Sequence, residues 1–123
     1  MTISDYAELA ILNAVLNNTA LAVANVYVKL HIGDPGENGA GNPAAETTRK
    51  AISFAAAASG QCVSDADVSW NPVAATEIYS HISLWDALTT GNCLWTGPLA
   101  APKSVTAGDE FRLPSGQVTV SLD

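Results

Sequence analysis

The sequence is short of charge, and of positive charge most of all. Only 14% of the 123 residues are charged, and five lysines and arginines against twelve acids leave a net charge of −7. A phosphate-binding surface needs clustered cations, whereas these are scattered apart from the adjacent Arg49 and Lys50. We therefore expect no nucleic acid as a partner. A chain that is 48% hydrophobic and has so few charges suggests that another protein covers part of its surface.

Cysteine is scarce as well. Cys62 and Cys93 are the only two cysteines, and two thiols without a short spacing make neither a zinc site nor a disulfide framework. We expect both cysteines to act as small, buried or half-buried residues near strand ends. The sequence leaves open whether a single bridge joins them. We expect no cofactor.

Long apolar runs are missing too, since no stretch approaches the ~18 apolar residues of a membrane span. Asp5 and Glu8 precede the apolar run at 9–16, where a signal peptide would carry positive charge. These features predict a soluble protein that is made in the cytoplasm and has no membrane contact.

The clearest local signal is a helix near the start of the chain. Ser4 can cap the N-terminus of this helix, and the negative charges of Asp5 and Glu8 are favourable near the positive end of the helix dipole. Together these residues predict a helix from about residue 5 to residue 17. Its two apolar faces carry Leu9, Leu12 and Leu16 on one side, and Ala7, Ile11, Ala14 and Val15 on the other. A helix buried within its own domain and a helix that joins the sheet to a neighbouring subunit both fit this pattern. On the second interpretation, Ile11 and Val15 bind the partner.

An alternating strand, Val26 to Ile32, runs into a loop of glycine, proline, aspartate and asparagine that ends near Asn42. The loop begins like a calcium site, but Gly36 replaces an oxygen ligand and Ala45 stands at the twelfth position. We therefore expect no metal, and a long loop that uses glycine and asparagine for positive φ. Such loops often contact partners. The candidate partner-binding residues are Asp34, Pro35, Gly36, Glu37 and Asn38.

The remainder of the chain consists of candidate short strands separated by turn signals. Strands are predicted at 47–57, 62–70, 78–86, 93–97, 103–107, 109–113 and 117–122. This spacing indicates a mainly β fold, an antiparallel β-sandwich of jelly-roll or immunoglobulin-like type with one N-terminal α-helix. We expect a single domain over 1–123, with a helical segment at 1–25 and the sandwich at 26–123. No heptad or internal repeat is visible, so the chain does not form a fibre shaft by itself.

The two histidines are the first candidates for catalysis. His31 and His81 each have an acid nearby in the sequence, Asp34 and Asp86, but no nucleophile stands in a recognisable elbow. We therefore expect both to be half-buried or solvent-facing strand residues, with His31 on the same side of its strand as Tyr27 and Lys29. Two acid pairs lie at turns or strand edges, Asp65/Asp67 and Asp109/Glu110. Solvated carboxylates are common at such positions, so a glycosidase is not favoured. We predict that the protein is not an enzyme and has no catalytic residues.

The three tryptophans are the large aromatic anchors, Trp70, Trp85 and Trp95. Exposed indoles would form a carbohydrate-binding platform, because they stack on sugar rings. Their apolar neighbours favour the core instead, with Trp85 and Trp95 packing across a hairpin.

Several motifs are spread over nearly the whole chain, and Tyr27 to Gly39 is the most distinctive. The others are Arg49 with Ile52-Ser53-Phe54, Ile82 to Ala87, Gly91-Asn92 with Leu94 to Gly97, Gly108-Asp109 with Phe111-Arg112, and Val118 to Asp123. With these motifs the chain resembles a family of small virion proteins of tailed bacteriophages, many from actinobacterial hosts, which are often labelled tail fibre or minor tail proteins.

The resemblance implies a structural role in the virion, assembled in the host cytoplasm. Because the acidic balance suits an outer surface, we expect an outer capsid decoration or cement protein, that is, a minor capsid protein. A minor tail, baseplate or tail-fibre component is the alternative, and a carbohydrate-binding receptor module is less favoured. The expected partners are other virion proteins, either the major capsid protein or tail proteins, with the chain in a homo-oligomer or symmetric array.

Overall fold

Nine strands and one helix make up the regular structure of residues 1–122, the part of the chain that this computed structural model describes. The helix is α1 (Asp5–Leu16). The strands are β1 (Thr2–Ile3), β2 (Val26–His31), β3 (Lys50–Ile52), β4 (Gln61–Val63), β5 (Val68–Trp70), β6 (Glu77–Trp85), β7 (Cys93–Val105), β8 (Phe111–Leu113) and β9 (Thr119–Ser121).

A five-stranded antiparallel sheet forms the main layer, in the order β1-β7-β6-β2-β3. Its register places Val28 opposite Leu84 and Leu30 opposite Ile82, and all four side chains are buried. Successive side chains of a strand point to opposite faces, so this alternation turns one face of β2 and β6 into the core.

Two antiparallel pairs, β4 with β9 and β5 with β8, pack against the main sheet. Phe111 of β8 lies against Trp70 of β5, with ring centroids 5.7 Å apart, and meets Tyr79 of β6 edge-on at 5.0 Å. These rings fill much of the space between the layers. The prediction of a mainly β, antiparallel, sandwich-like fold with one N-terminal helix is confirmed.

Helix α1 follows a two-residue strand, β1, that the sequence did not predict. Ile3 pairs with Trp95 on β7, and the Ser4 backbone amide donates to the Leu94 carbonyl at 2.9 Å. The Ser4 hydroxyl accepts a hydrogen bond from the Ala7 amide at 3.1 Å and donates to the Cys93 carbonyl. Ser4 is thus the predicted N-cap, and it also fastens the start of the helix to the sheet.

The predicted strand at 47–57 is confirmed only at 50–52, which is β3, and is wrong on both sides of it. Ser59 and Gly60 both have positive φ, 52° and 75°, and close a tight hairpin turn in which Ala58 and Gln61 exchange backbone hydrogen bonds. The alanines before the turn have no large side chain to bury. Only isolated bridges form there, such as the one between Phe54 and Ser64.

Two other strand boundaries also differ from the prediction. The segment 62–70 divides into β4 and β5, because its two halves pair with different strands, β9 and β8. Conversely, 93–97 and 103–107 belong to one long strand, β7. Its register against β6 passes from Pro98 opposite His81 to Lys103 opposite Tyr79. The extra residues, 99–102, form a bulge, which accommodates Pro102, whereas Pro98 of the predicted Gly97-Pro98 turn pairs with His81 within the strand.

Candidate docking face

The loop after β2 is held in shape by its own side chains. The Gly36 amide donates to Asp34 Oδ1 at 2.9 Å, and the Ala40 amide donates to Asn38 Oδ1 at 3.0 Å. Asn42 Nδ2 donates to the Asp34 carbonyl at 2.9 Å. The carboxylate and amide oxygens that made the loop similar to a calcium site therefore accept hydrogen bonds within the loop, as in ordinary Asx turns.

Glycine is required where this loop meets the sheet. Gly39 has a φ of 73°, and a Cβ built there would lie 2.7 Å from Cys93 Sγ and 2.8 Å from the Trp85 ring. Gly36 and Asn42 also have positive φ, 71° and 46°. The expected use of glycine and asparagine for positive φ is confirmed, and the close packing of Gly39 keeps the loop against β6 and β7.

A buried histidine fastens the other side of the loop. His31 is fully buried, and its Nδ1 lies 2.8 Å from the Gly41 carbonyl. A carbonyl can only accept, so Nδ1 carries the proton and Nε2 accepts from the Ser83 hydroxyl at 2.7 Å. The Trp85 indole in turn donates to Ser83 at 2.7 Å. Burial lowers the pKa of His31, consistent with a neutral ring in this network.

The adjacent loop between β6 and β7 is held by Arg49. Its guanidinium donates to the carbonyls of Ala87 and Thr90 at 2.8 and 2.7 Å and stacks over the Trp85 ring, 4.0 Å from the centroid. Asp86 accepts from the Asn92 amide at 2.7 Å and closes the same loop. Two ordered loops therefore lie side by side on Trp85.

Helix α1 lies on the sheet by one face and leaves the other free. Ala7 is buried, and Ala10, Ile11 and Ala14 are half-buried. At 100° per residue, the opposite side of the helix carries three exposed leucines. They are Leu9, Leu12 and Leu16, which are 64%, 53% and 72% exposed. Of the two predicted apolar faces, the alanine face is turned to the sheet except for Val15, which is 74% exposed, and the leucine face is turned to solvent.

The loop and the helix meet at an acidic corner. The charge of Asp5, and to a lesser extent that of Glu8, raises the pKa of the Glu37 carboxyl, so these acids lie close together. We term the exposed loop residues Asp34, Gly36, Glu37 and Asn38, together with the exposed side of α1, the docking face; the Pro35 side chain is buried. Of the candidate residues, Val15, Asp34, Gly36, Glu37 and Asn38 are exposed, whereas Ile11 is half-buried on the sheet and Pro35 is buried.

Comparison with known proteins identifies the family of the chain. A family model described as "Podophage GP4 fiber I protein gp80" matches residues 2–121. The chain belongs to this gp80 family. A comparison with curated proteins found no match. Membership makes the chain a phage fibre protein, a structural component of the virion, and it confirms the resemblance to tailed-phage virion proteins.

The gp80 family description names a fibre, whereas the charge argument favoured the capsid surface. Among residues 1–122 no helix has the length and apolar character needed to cross a membrane. The same residues hold no group of three histidine, cysteine or acidic side chains placed to bind a metal.

In this gp80-family chain His31 and His81 face each other across β2 and β6, but neither binds the acid near it in the sequence. His31 binds Gly41 and Ser83 instead of Asp34, and the half-buried His81 binds Ser80 at 2.8 Å. Cys62 and Cys93 are free thiols, half-buried and buried respectively, as expected. Burial raises the pKa of Cys93 to about 11, so its thiol is neutral at physiological pH.

Three of the four acids in the two pairs accept hydrogen bonds from a backbone amide or a hydroxyl, and the fourth, Glu110, binds Arg112 at 3.2 Å. Asp67 accepts from the Ser115 amide at 2.8 Å, and Asp109 accepts from the Thr106 amide at 2.9 Å. Asp65 accepts from the Ser53 hydroxyl. Carboxylates that accept backbone and hydroxyl hydrogen bonds in this way stabilise turns.

The tryptophans occupy three different environments. Trp70 is buried and donates to the Thr48 carbonyl at 2.8 Å. Trp85 is half-buried beneath Arg49, and Trp95 is half-buried against the core. Trp95 lies opposite Leu84, so it is not the cross-strand partner of Trp85 that the sequence suggested.

Sequence reasoning missed the importance of Glu46 and Glu77. Glu46 is buried and accepts from the Ala74 amide at 3.0 Å, while Glu77 accepts from the amides of Ala45 and Glu46 at 2.9 and 3.1 Å. These carboxylates join the segment after the loop to β6. No signal in the sequence indicates this, because the bonded residues lie about thirty positions apart.

Proposed function

We propose that the protein is a non-enzymatic structural subunit of a phage tail fibre, joined to other virion proteins through the docking face. The observation that carries this proposal is the leucine side of α1, which presents three large apolar side chains to solvent beside an ordered loop. Exposed apolar patches of this kind mark sites of protein association. The fibre named in the family description supports the tail as the location.

Two structural features support the assignment of the loop to assembly. Its conformation is set by internal hydrogen bonds and by Gly39, so little conformational entropy is lost when a partner binds. Its acidic tip, Glu37, lies beside Asp5 and Glu8, and a basic rim on the partner would complement these charges.

The test is the location and copy number of the protein in purified virions. Quantitative mass spectrometry should give tens of copies or fewer per particle, and gold-labelled antibodies should decorate the tail. Hundreds of copies spread over the head would overturn the fibre assignment in favour of capsid decoration.

Incorporation of variants tests the face itself. Val15 is 74% exposed, so Val15→Asp should leave the domain folded and reduce incorporation into virions by at least tenfold. Ile78→Asp is the matched control, because Ile78 is an exposed apolar residue of β6 outside the docking face. If both variants are incorporated like the natural protein, the docking face is not where the virion holds this chain. Ile11 is half-buried on the sheet, so Ile11→Asp is less suitable.

A further inference from the structure

The sandwich is closed on one side and open on the other. After β3 the chain crosses to the second layer, where the Ala55 amide donates to the Val63 carbonyl at 2.9 Å and the Asp65 amide donates to the Ser53 carbonyl at 3.1 Å. On the other side, within residues 1–122, no strand pairing joins β7 to β8 or β9. A cleft of about 750 Å³ opens there, between 98–103 of β7 and 110–119 of the second layer. We term it the edge cleft.

The floor of the edge cleft belongs to the hydrophobic core. Ile82, Phe111, Leu113 and Val118 line it, and each is at most 6% exposed. The half-buried Leu99 lies at the same place on β7. A side chain that enters the cleft therefore meets an apolar surface, as in most binding sites of this volume.

The backbone of β9 is unpaired on the side of the cleft. Towards β4, the Val118 carbonyl accepts a backbone hydrogen bond at 2.8 Å, and the Leu122 amide donates one at 2.9 Å. Bonded positions alternate in an antiparallel pair, so Val120 also faces β4, whereas Thr119 and Ser121 turn their N–H and C=O groups away from it. In the described part of the chain these groups have no backbone partner. Thr119 lines the cleft.

The two strands that border the cleft differ in how their edges are protected. Exposed edges are usually blocked by prolines, charges or bulges. On β7 the prolines Pro98 and Pro102 and the bulge at 99–102 provide such protection. The segment 117–122, which includes β9, contains neither a charged residue nor a proline. The edge of β9 is therefore the one that can accept another strand.

The rim of the edge cleft is basic, although the chain as a whole is acidic. Two of the five basic residues, Lys103 and Arg112, line the cleft. Arg112 is paired with Glu110 at 3.2 Å, whereas Lys103 has no ion-pair partner among residues 1–122. An acidic side chain on an incoming strand would complement Lys103.

We propose that the edge cleft receives an extended strand of another virion protein, which adds to β9 and closes the sandwich. Main-chain hydrogen bonds to Thr119 and Ser121 supply the affinity in such strand addition, more than the area that is buried. Apolar side chains at alternate positions of the incoming strand face the floor, and an acid meets Lys103. This contact is separate from the docking face on α1.

Backbone amide exchange of the purified full chain, followed by NMR, tests the edge itself. In the free protein the amides of Thr119 and Ser121 should exchange at least tenfold faster than that of Val120, because only Val120 is bonded to β4. When a strand binds, the amides that point into the cleft should become at least tenfold slower to exchange.

A peptide selected on the protein serves as the probe. A library of random peptides of about ten residues, roughly the upper length of a natural strand, is selected on the immobilised full chain. The enriched peptides should alternate apolar side chains and carry an acid. A synthetic peptide of an enriched sequence is then used in the exchange experiment and in fluorescence titrations.

Matched variants separate the backbone contact from the charge contact. Thr119→Pro removes the outward amide but no bond to β4, so it should weaken peptide binding at least tenfold, whereas Thr119→Val should change it by less than twofold. Lys103→Gln should weaken binding at least threefold. Val15→Asp changes the net charge by the same amount, but on the docking face, and should change binding by less than twofold. Circular dichroism and thermal unfolding verify that each variant is folded.

Several results would overturn the proposal. One is slow exchange of the Thr119 and Ser121 amides in the free protein, which would mean that the edge is already paired. Another is a selection that enriches no peptide over a control surface. The third is a peptide that binds Thr119→Pro as tightly as the natural protein, or Lys103→Gln as tightly where Thr119→Pro does not fold. A peptide that protects the amides of α1 instead of β9 would assign the binding to the docking face.

Discussion

At the scale of single residues, Arg49 joins β3 to a loop that lies about forty positions along the chain. It reaches two carbonyls of the β6–β7 loop and covers Trp85. Hydrogen bonds to charged groups contribute about 1.5–3 kcal/mol, and a cation over an aromatic ring adds about 0.5–1 kcal/mol at a partly exposed site. We expect Arg49→Ala to lower the free energy of unfolding by about 2–3 kcal/mol in urea denaturation.

Two comparisons separate the geometry of Arg49 from its charge. Arg49→Lys keeps the charge but loses the planar fork, so it should recover less than half of the lost stability. Lys103→Ala removes an exposed cation and should change stability by less than about 0.5 kcal/mol. If Arg49→Lys is as stable as the natural protein, the hydrogen-bond geometry does not matter.

His31 makes stability depend on pH. Burial holds its pKa in the folded protein below the ordinary value of 6.5, which the unfolded chain retains. Between these two values the unfolded state binds more protons, so stability decreases as the pH falls through 6.5. We expect chemical denaturation to show this loss between pH 7 and pH 5. His31→Asn keeps a donor for Gly41 but does not titrate, so it should be less stable at pH 7 and show a shallower decrease.

A control with His81 identifies the source of the pH effect. His81 faces His31 across β2 and β6 but binds Ser80 and is half-exposed. His81→Asn should therefore leave the decrease between pH 7 and pH 5 in place. An unchanged slope in His31→Asn would mean that other groups produce the effect.

Several functional residues could not be predicted because their partners are distant in sequence. His31 was expected to be half-buried or solvent-facing, since alternation places it with Tyr27 and Lys29. It is buried because the following loop folds over it and Ser83 lies beneath it. Local pattern predicts which side of a strand a residue occupies, but not what covers that side.

At the scale of elements, the loop at 33–42 contains two glycines that have the same backbone conformation but different surroundings. The cost of placing a side chain in that conformation can therefore be measured separately from the cost of crowding. Gly36 and Gly39 have nearly equal φ, 71° and 73°, but only Gly39 is packed closely against other side chains. Alanine in the left-handed region costs about 1–2 kcal/mol at either site. At Gly39 its Cβ would also collide with Cys93 and Trp85, and overpacking adds about 1–3 kcal/mol.

We therefore expect Gly39→Ala to be less stable than Gly36→Ala by about 1–3 kcal/mol in thermal or chemical denaturation. Gly36→Ala has only one neighbouring atom within 4 Å, at 3.9 Å, so it measures the backbone cost alone. Equal effects of the two substitutions would show that Cys93 and Trp85 can move to make room, and that the loop is not held against β6 and β7.

Elements with local signals were predicted well, and those that depend on pairing were not. The helix follows from Ser4 and the acids behind it, and the Ser59-Gly60 turn follows from its residue types. By contrast, β4 and β5 are separate because they pair with β9 and β8, far along the chain. The sequence also presented both apolar faces of α1 as equivalent, because the choice between them depends on which one the sheet covers.

At the scale of the whole molecule, the acidic composition has a structural explanation. Many of the carboxylates accept backbone amides at turns, among them Asp34, Asp67, Asp86, Asp109 and Glu77. These acids stabilise a fold with many loops, and they give it a net charge of −7 in the process. The surplus charge has to be screened or compensated wherever copies come together.

The charge predicts how stability responds to salt. A net charge of −7 destabilises the compact state through self-repulsion, so raising the salt concentration from about 20 to about 500 mM should raise the free energy of unfolding, because it shortens the range of repulsion from over 20 Å to under 5 Å. Glu37→Gln removes a charge beside Asp5 and Glu8, at the start of the helix, and should reduce this salt dependence. Glu110→Gln changes the net charge equally, but Glu110 is paired with Arg112, and it should have the smaller effect. A free energy of unfolding that falls as salt is added in urea denaturation would mean that favourable charge pairs outweigh the repulsion.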